Sequence, residues 1–223
     1  MTSILRSPGR RLRTGATIVG AITVLSAVLA GCVSGEGPVT SETREIRPFS
    51  QLEVGAGIRV VMTIGPVEHL EVSAQANILE TVATTVSGRT LTIEAERDFT
   101  TTEPVTVTLV GPTLERITTS GGAQAVVTGL DVDTFVISAK SGSIVTASGR
   151  ANLVELTADG GSTSNLAELS ATTVDVSVDG AATATILAQD VVTGTASGGA
   201  QLVVAGDAAV TVDADGGAQV VRR

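Results

Sequence analysis

Carboxylates stand two residues apart at Glu94/Glu96, Asp131/Asp133 and Asp213/Asp215. Residues two apart in a strand share a face, so each pair could serve acid–base hydrolysis. Glycan-processing sites usually add aromatic platforms, and three phenylalanines with no Trp or Tyr supply few. A Ser-His-Asp triad or a histidine-rich metal site would have to pass through the one histidine, His69. No Gly-x-Ser-x-Gly elbow surrounds any serine, and His69 reads as a surface residue beside the strand Leu70-Glu71-Val72. Asp159, Asp179 and Asp215 each precede glycine. They match neither the calcium nonapeptide of glycine-rich β-rolls nor an EF-hand loop. They are expected to bond the backbone of their own turns. The side chains therefore point to no enzyme, no cofactor and no metal site.

Cys32 is the only cysteine, which excludes an internal disulfide. Ahead of it lie a basic head (Arg6, Arg10, Arg11, Arg13), an apolar run from Ala16 to Ala30, and Leu29-Ala30-Gly31-Cys32. The run is shorter than the roughly 20 residues that span a bilayer, and the order of parts is that of a secretory signal. The tetrapeptide resembles the bacterial lipobox. That resemblance implies that the Cys32 thiol takes a diacylglycerol and that the signal, residues 1–31, is cut just before it. The protein is then extracytoplasmic and held to a membrane of the envelope by its N-terminal lipid. Residues 32–44, rich in Ser, Gly, Thr and Glu, are expected to form a flexible tether.

Removing the four leader arginines takes the formal charge from -9 to about -13. An acidic surface argues against nucleic acid, whose phosphates need Lys and Arg. It equally disfavours electrostatic docking on anionic lipid heads.

The elements that must position these groups are strands. Leu52-Glu53-Val54, Ile58 to Ile64, Leu70-Glu71-Val72, Leu91-Thr92-Ile93 and Val105 to Leu109 alternate or nearly so. Gly55, Gly57, Gly65-Pro66, Ser87-Gly88 and Gly111-Pro112 punctuate them as turns. Asn77 to Val86 is the one stretch that could hold a short helix. With aromatics at 1% and Ala, Val and Thr abundant, the core must be narrow.

The second half is a repeat. Gly121-Gly122-Ala123-Gln124, Gly198-Gly199-Ala200-Gln201 and Gly216-Gly217-Ala218-Gln219 are identical, with degenerate copies at Gly142, Gly160 and Gly180. The steps between markers are 21, 18, 20, 18 and 18 residues. Counting back six, four and two residues from a marker aligns Val154, Leu156 and Ala158 with Val174, Val176 and Val178. Val192, Gly194 and Ala196 follow, then Val210, Val212 and Ala214. Phe135, Ile137 and Ala139 join if the longest repeat slips by one. Glu155, Thr157, Asp175, Ser177, Thr211 and Asp213 fall on the opposite face. Such units bury their apolar face only by stacking. The predicted fold is all-β, a single-domain parallel β-helix (β-solenoid) over residues 45–223, right-handed, with rungs of 18–21 residues and glycine pairs at its corners. An antiparallel β-sandwich is the alternative. Thr183, Thr185, Thr193 and Thr195 give threonine-rich faces, irregular across rungs, similar to those of flat solenoids that bind ordered surfaces such as ice.

From Arg47 to Val221 the chain resembles the head GIN domain family of auto-transporter-like adhesins. The resemblance rests on Arg47-Pro48-Phe49-Ser50-Gln51-Leu52-Glu53-Val54, on Val105 to Pro112 leading into Leu114-Glu115-Arg116-Ile117, and on Ser120-Gly121-Gly122 with the glycine-rich rungs after it. It implies a β-helical envelope domain without a settled activity. The function expected is a non-catalytic adhesion, interaction or scaffold role, with an envelope protein or glycan as partner. Polysaccharide binding or processing, and an extracytoplasmic sensor module, are the alternatives. Arg222-Arg223, after Val220-Val221, are expected to discourage end-to-end strand pairing.

Overall fold

Alternating apolar residues between glycine corners become strands throughout the computed structural model, which describes residues 32–223. The expected signal, 1–31, lies outside the described residues. The first strands are short: β1 (Val33–Ser34), β2 (Val39–Thr43), β3 (Gln51–Val54), β4 (Arg59–Ile64) and β5 (His69–Gln75). One helical turn, α1 (Ala76–Leu79), leads into β6 (Val82–Ser87), β7 (Thr90–Ala95), β8 (Phe99–Thr100), β9 (Thr106–Gly111) and β10 (Arg116–Thr119). The repeats form long bent strands, β11 (Gln124–Ala139), β12 (Ile144–Ala158), β13 (Thr163–Val178) and β14 (Thr183–Ala196). They end in β15 (Gln201–Ala205), β16 (Ala209–Ala214) and β17 (Gln219–Arg222).

Each long strand bends midway, so its two halves belong to two facing stacks. One stack runs β17-β15-β14-β13-β12-β11-β4-β9-β5-β2, the other β16-β14-β13-β12-β11-β10-β3-β7-β6. Pairing is parallel along both until the N-terminal end, where β5 with β9, β2 with β5, and β6 with β7 are antiparallel. This is a β-solenoid, not an antiparallel sandwich. Ten strands at about 4.8 Å make it about 43 Å long.

The register is the one the repeat dictates. Phe135, Ile137 and Ala139 pair with Val154, Leu156 and Ala158. These pair with Val174, Val176 and Val178, then with Val192, Gly194 and Ala196, then with Val210, Val212 and Ala214. The first four rows are buried apart from half-buried Gly194, and burial fades in the last. Glu155, Thr157, Asp175 and Ser177 face outward. The core between the sheets is filled by Val, Ile, Leu and Ala, with Phe135 the largest side chain fully inside.

Corners stack as well. The N–H of Gly142 donates to the carbonyl of Gly160 at 3.1 Å, and that of Gly199 to Gly180 at 2.6 Å. Inside the corners, Ser143 and Ser162 replace the alanines of other rungs (Ala123, Ala182, Ala200) and are fully buried. Both are satisfied: Ser143 Oγ accepts from Thr119 Oγ1 at 2.9 Å, and Ser162 Oγ donates to the Ala139 carbonyl at 2.9 Å. Ser164 differs. It sits in a row with Val145 and Ala184, and its buried hydroxyl has no partner among the described residues. An unsatisfied buried hydroxyl costs about 1–3 kcal/mol. Ser164→Ala is therefore expected to stabilise the domain by about 1 kcal/mol in urea unfolding; an unchanged or lower midpoint would show that the hydroxyl is not orphaned.

Near the N-terminus the short helix falls where it was expected, as the single turn α1, although most of the stretch 77–86 is strand β6. One expectation needs correction: residues 32–44 are not a free tether, because β1 pairs with β8 and β2 with β5. Arginines close this end. Arg44 donates to the carbonyls of Val82 (2.5 Å) and Leu79 (3.2 Å) and to Thr84 Oγ1 (3.3 Å), and Arg47 donates to the carbonyl of Val86. These acceptors lie on edge strand β6 and at the end of α1, where open backbone would otherwise invite another chain. Arg44→Ala is expected to cost about 3 kcal/mol, since hydrogen bonds to charged groups contribute a net of about 1.5–3 kcal/mol each. Thermal unfolding tests this, and a loss below about 0.5 kcal/mol would mean that water replaces the guanidinium.

Candidate functional site

Regular rungs leave little relief, so the longest one makes the site. Between Gly121 and Gly142 the chain carries extra residues, and the β11–β12 ladder slips between Val127 and Leu130. Beside this bulge, the segment after β9 skips a level on its way to β10, because β4 lies between β9 and β11 in one stack while β10 pairs directly with β11 in the other. Together they enclose an open groove of about 480 Å³. Its lining includes Gln51, Thr113, Glu115, Arg116, Asp131 and Asp133. Insertions in repeat proteins often build the binding face.

The groove is polar and its charges are largely balanced. Arg150 approaches Asp131 at 3.5 Å, Asn152 Nδ2 donates to Asp133 at 2.8 Å, and Arg89 pairs with Glu115 at 2.5 Å. The Arg150–Asp131 pair is 76% exposed on both sides, so it orients more than it stabilises. Among the described residues Arg116 has no ion-pair partner, so its guanidinium stands open in the groove. Carboxylates, an amide, hydroxyls and a guanidinium thus offer both donors and acceptors to a polar ligand.

The other sequence-singled residues scatter. Glu94 lies on β7 and Glu96 just past it, and Asp213 lies on β16 with Asp215 in the following corner. His69 opens β5, half-buried, and makes no side-chain hydrogen bond among the described residues. No three His, Cys, Asp or Glu side chains among the described residues are grouped to hold a metal ion. The threonines divide: Thr183 and Thr185 lie in one stack, Thr193 and Thr195 in the other, so they form no common face. Of the corner aspartates only Asp179 bonds its own turn, accepting from the Gly180 N–H at 2.6 Å and from Ser197 Oγ of the next rung at 2.6 Å.

Those bonds, Ser197 first and Gly180 second, hold the Asp179 carboxyl below the usual carboxylate range. A lowered folded-state value adds stability that is present above the unfolded value and is lost as pH falls through the folded one. Wild-type protein is thus expected to lose stability on acidification slightly more than Asp179→Asn does. Parallel acid titrations of both would contradict the linkage. Sequence reasoning paired Asp131 with Asp133 but missed Glu115 and Arg116, which only the crossing segment brings near.

The family model described as "Putative auto-transporter adhesin, head GIN domain" matches residues 48–208. No curated protein matches the chain. Among solved structures it is similar to a putative adhesin from Bacteroides fragilis, at 16% identity and a TM-score of 0.69 over 86% of this chain and 100% of that one. A putative adhesin from Parabacteroides distasonis is 18% identical with a TM-score of 0.56, over 86% of this chain and 99% of that one. A protein from the same species described as a putative lipid binding protein is 11% identical with a TM-score of 0.54, over 86% and 100%. Likeness at this identity speaks for the shared fold.

Proposed function

Because the chain belongs to the head GIN domain family of auto-transporter-like adhesins, we propose that it is a non-catalytic recognition module, displayed on the outer side of a membrane by lipid on Cys32. The observation that carries recognition is the groove at the long rung. It lies beside the slip in the longest rung and gathers Glu115, Arg116, Asp131 and Asp133 from segments distant in sequence. Its balanced donors and acceptors suit a hydroxyl-rich glycan or a polar protein surface of the envelope. The lipid reading rests on the basic head, the apolar run and Leu29-Ala30-Gly31-Cys32. No helix among the described residues is long and apolar enough to cross a membrane.

The test is capture from intact envelopes, with residues 33–223 as bait and mass spectrometry of proteins and glycans as readout. One component should return repeatedly with the parent domain and be lost with Arg116→Ala/Asp133→Ala. Equal recovery by the double variant, or nothing above background, would remove the groove from the account.

A further inference from the structure

The segment after Cys32 is strapped down from its first residue. The Val33 N–H donates to the Asp98 carbonyl at 2.8 Å, and that of Gly35 to Thr100 at 2.7 Å. Asn77 grips the same segment twice, accepting from the Glu36 N–H at 2.8 Å and donating to the Ser34 carbonyl at 2.7 Å. Gln75, buried to 7% exposure, donates to the Gly37 carbonyl at 3.2 Å and accepts from Thr101 Oγ1 at 2.6 Å. A Cβ on Gly35 would lie 2.0 Å from Gln75 Oε1, so glycine is what lets the strap lie so close. Five successive residues are therefore held where a linker would be free.

From these contacts we infer that the strap fixes the lipid to one end of the solenoid and seats that end against the bilayer headgroups. The surface involved is the corner segment 96–105 with β1, α1 and β2. This rests on the reading that Cys32 is lipidated. A free segment of 12 residues would give a root-mean-square reach of about 20 Å. With the first fixed backbone bond at Val33, the slack is little more than the cysteine side chain and its glycerol. Charge does not hold this end down: Glu36, Asp98 and Glu103 are exposed there, and an acidic surface is not drawn to anionic lipid. Proximity comes from the covalent link alone.

The geometry also sets what faces outward. Segment 96–105 links β7 to β9 just as the Gly55 corner links β3 to β4, and the two corners are joined where they start and finish: the Gly55 N–H bonds the Ile93 carbonyl and the Arg59 N–H bonds the Val105 carbonyl. The groove opens at the opposite column of bends, after β9 and within β11. It is thus carried on the edge away from the lipid. The far end, at Asp215, lies seven strand spacings from β9, or about 34 Å.

The experiment uses full-length protein, matured in cells, extracted from membranes and reconstituted in phosphatidylcholine/phosphatidylglycerol vesicles bearing a headgroup acceptor dye. Cys32 being occupied by lipid, Thr102→Cys or Asp215→Cys supplies the single thiol for a donor dye. Energy transfer is expected to be several-fold higher from position 102 than from 215. Inserting a Gly/Ser linker of about ten residues between Cys32 and Val33, which leaves the fold untouched, is expected to lower transfer from 102 towards that from 215. Equal transfer from both positions in the strapped protein, or no effect of the linker, overturns the inference. Protein that fails to float with vesicles and carries an unmodified Cys32 overturns the lipid reading itself, and this inference with it.

Discussion

Gly194→Ala is expected to destabilise the protein by more than about 3 kcal/mol, the largest loss of any single change at a glycine here. Gly194 pairs with Val176 inside a parallel ladder and has φ +129°. A Cβ built on it would lie 1.9 Å from the Val176 carbonyl oxygen and 2.8 Å from the Val176 nitrogen. Both partners are backbone, held by ladder bonds, so nothing flexible can yield. Strain at a φ that side chains rarely adopt adds about 1–3 kcal/mol. The glycine therefore does not merely ease a turn; it lets two coils touch where every other row has a side chain. Gly199→Ala is the control, with an ordinary φ and its nearest contact at 3.5 Å. Because solenoid coils contact chiefly their neighbours, the damage should be graded. Hydrogen exchange is expected to accelerate in β15, β16 and β17 while β11 and β12 stay protected. A variant that melts with the parent, or loses protection evenly, would contradict the contact.

Cys32→Ser is expected to move the protein from the membrane fraction to the soluble fraction almost completely. Acyl burial contributes about 0.8 kcal/mol per methylene, and two chains hold where one is marginal. Nothing else in the described residues offers comparable attachment: no helix suited to cross a membrane is present among them, and the surface is acidic. Persistence of the serine variant in washed membranes would mean that another part of the chain or a partner retains it.

The repeats were legible because each row of the solenoid is also a spacing in the sequence. Glycine markers fix the corners, and residues two, four and six before each marker fix a face, including the slip at Phe135, Ile137 and Ala139. Where rows are built from distant segments, that signal fails. Residues 39–43 carry no apolar alternation because β2 is an edge strand exposed along its whole length, tied on through its backbone to β5. The same segment therefore looks like a tether. Arg44 gives no local hint of its target, since it closes on carbonyls 35 and 38 residues away. Asp131 and Asp133 could be paired by their spacing, but Arg116 and Glu115 join them only because the chain after β9 skips a level before forming β10. The threonines fail for the opposite reason: Thr185 and Thr193 are near in sequence, but a bend sends them to different stacks.

Mass spectrometry of the N-terminal peptide from protein extracted out of membranes tests the central claim most directly. The account predicts a peptide that begins at Cys32 and carries the mass of a diacylglycerol, with or without a further acyl group. A peptide that begins elsewhere, or an unmodified Cys32 in membrane-bound protein, would contradict it.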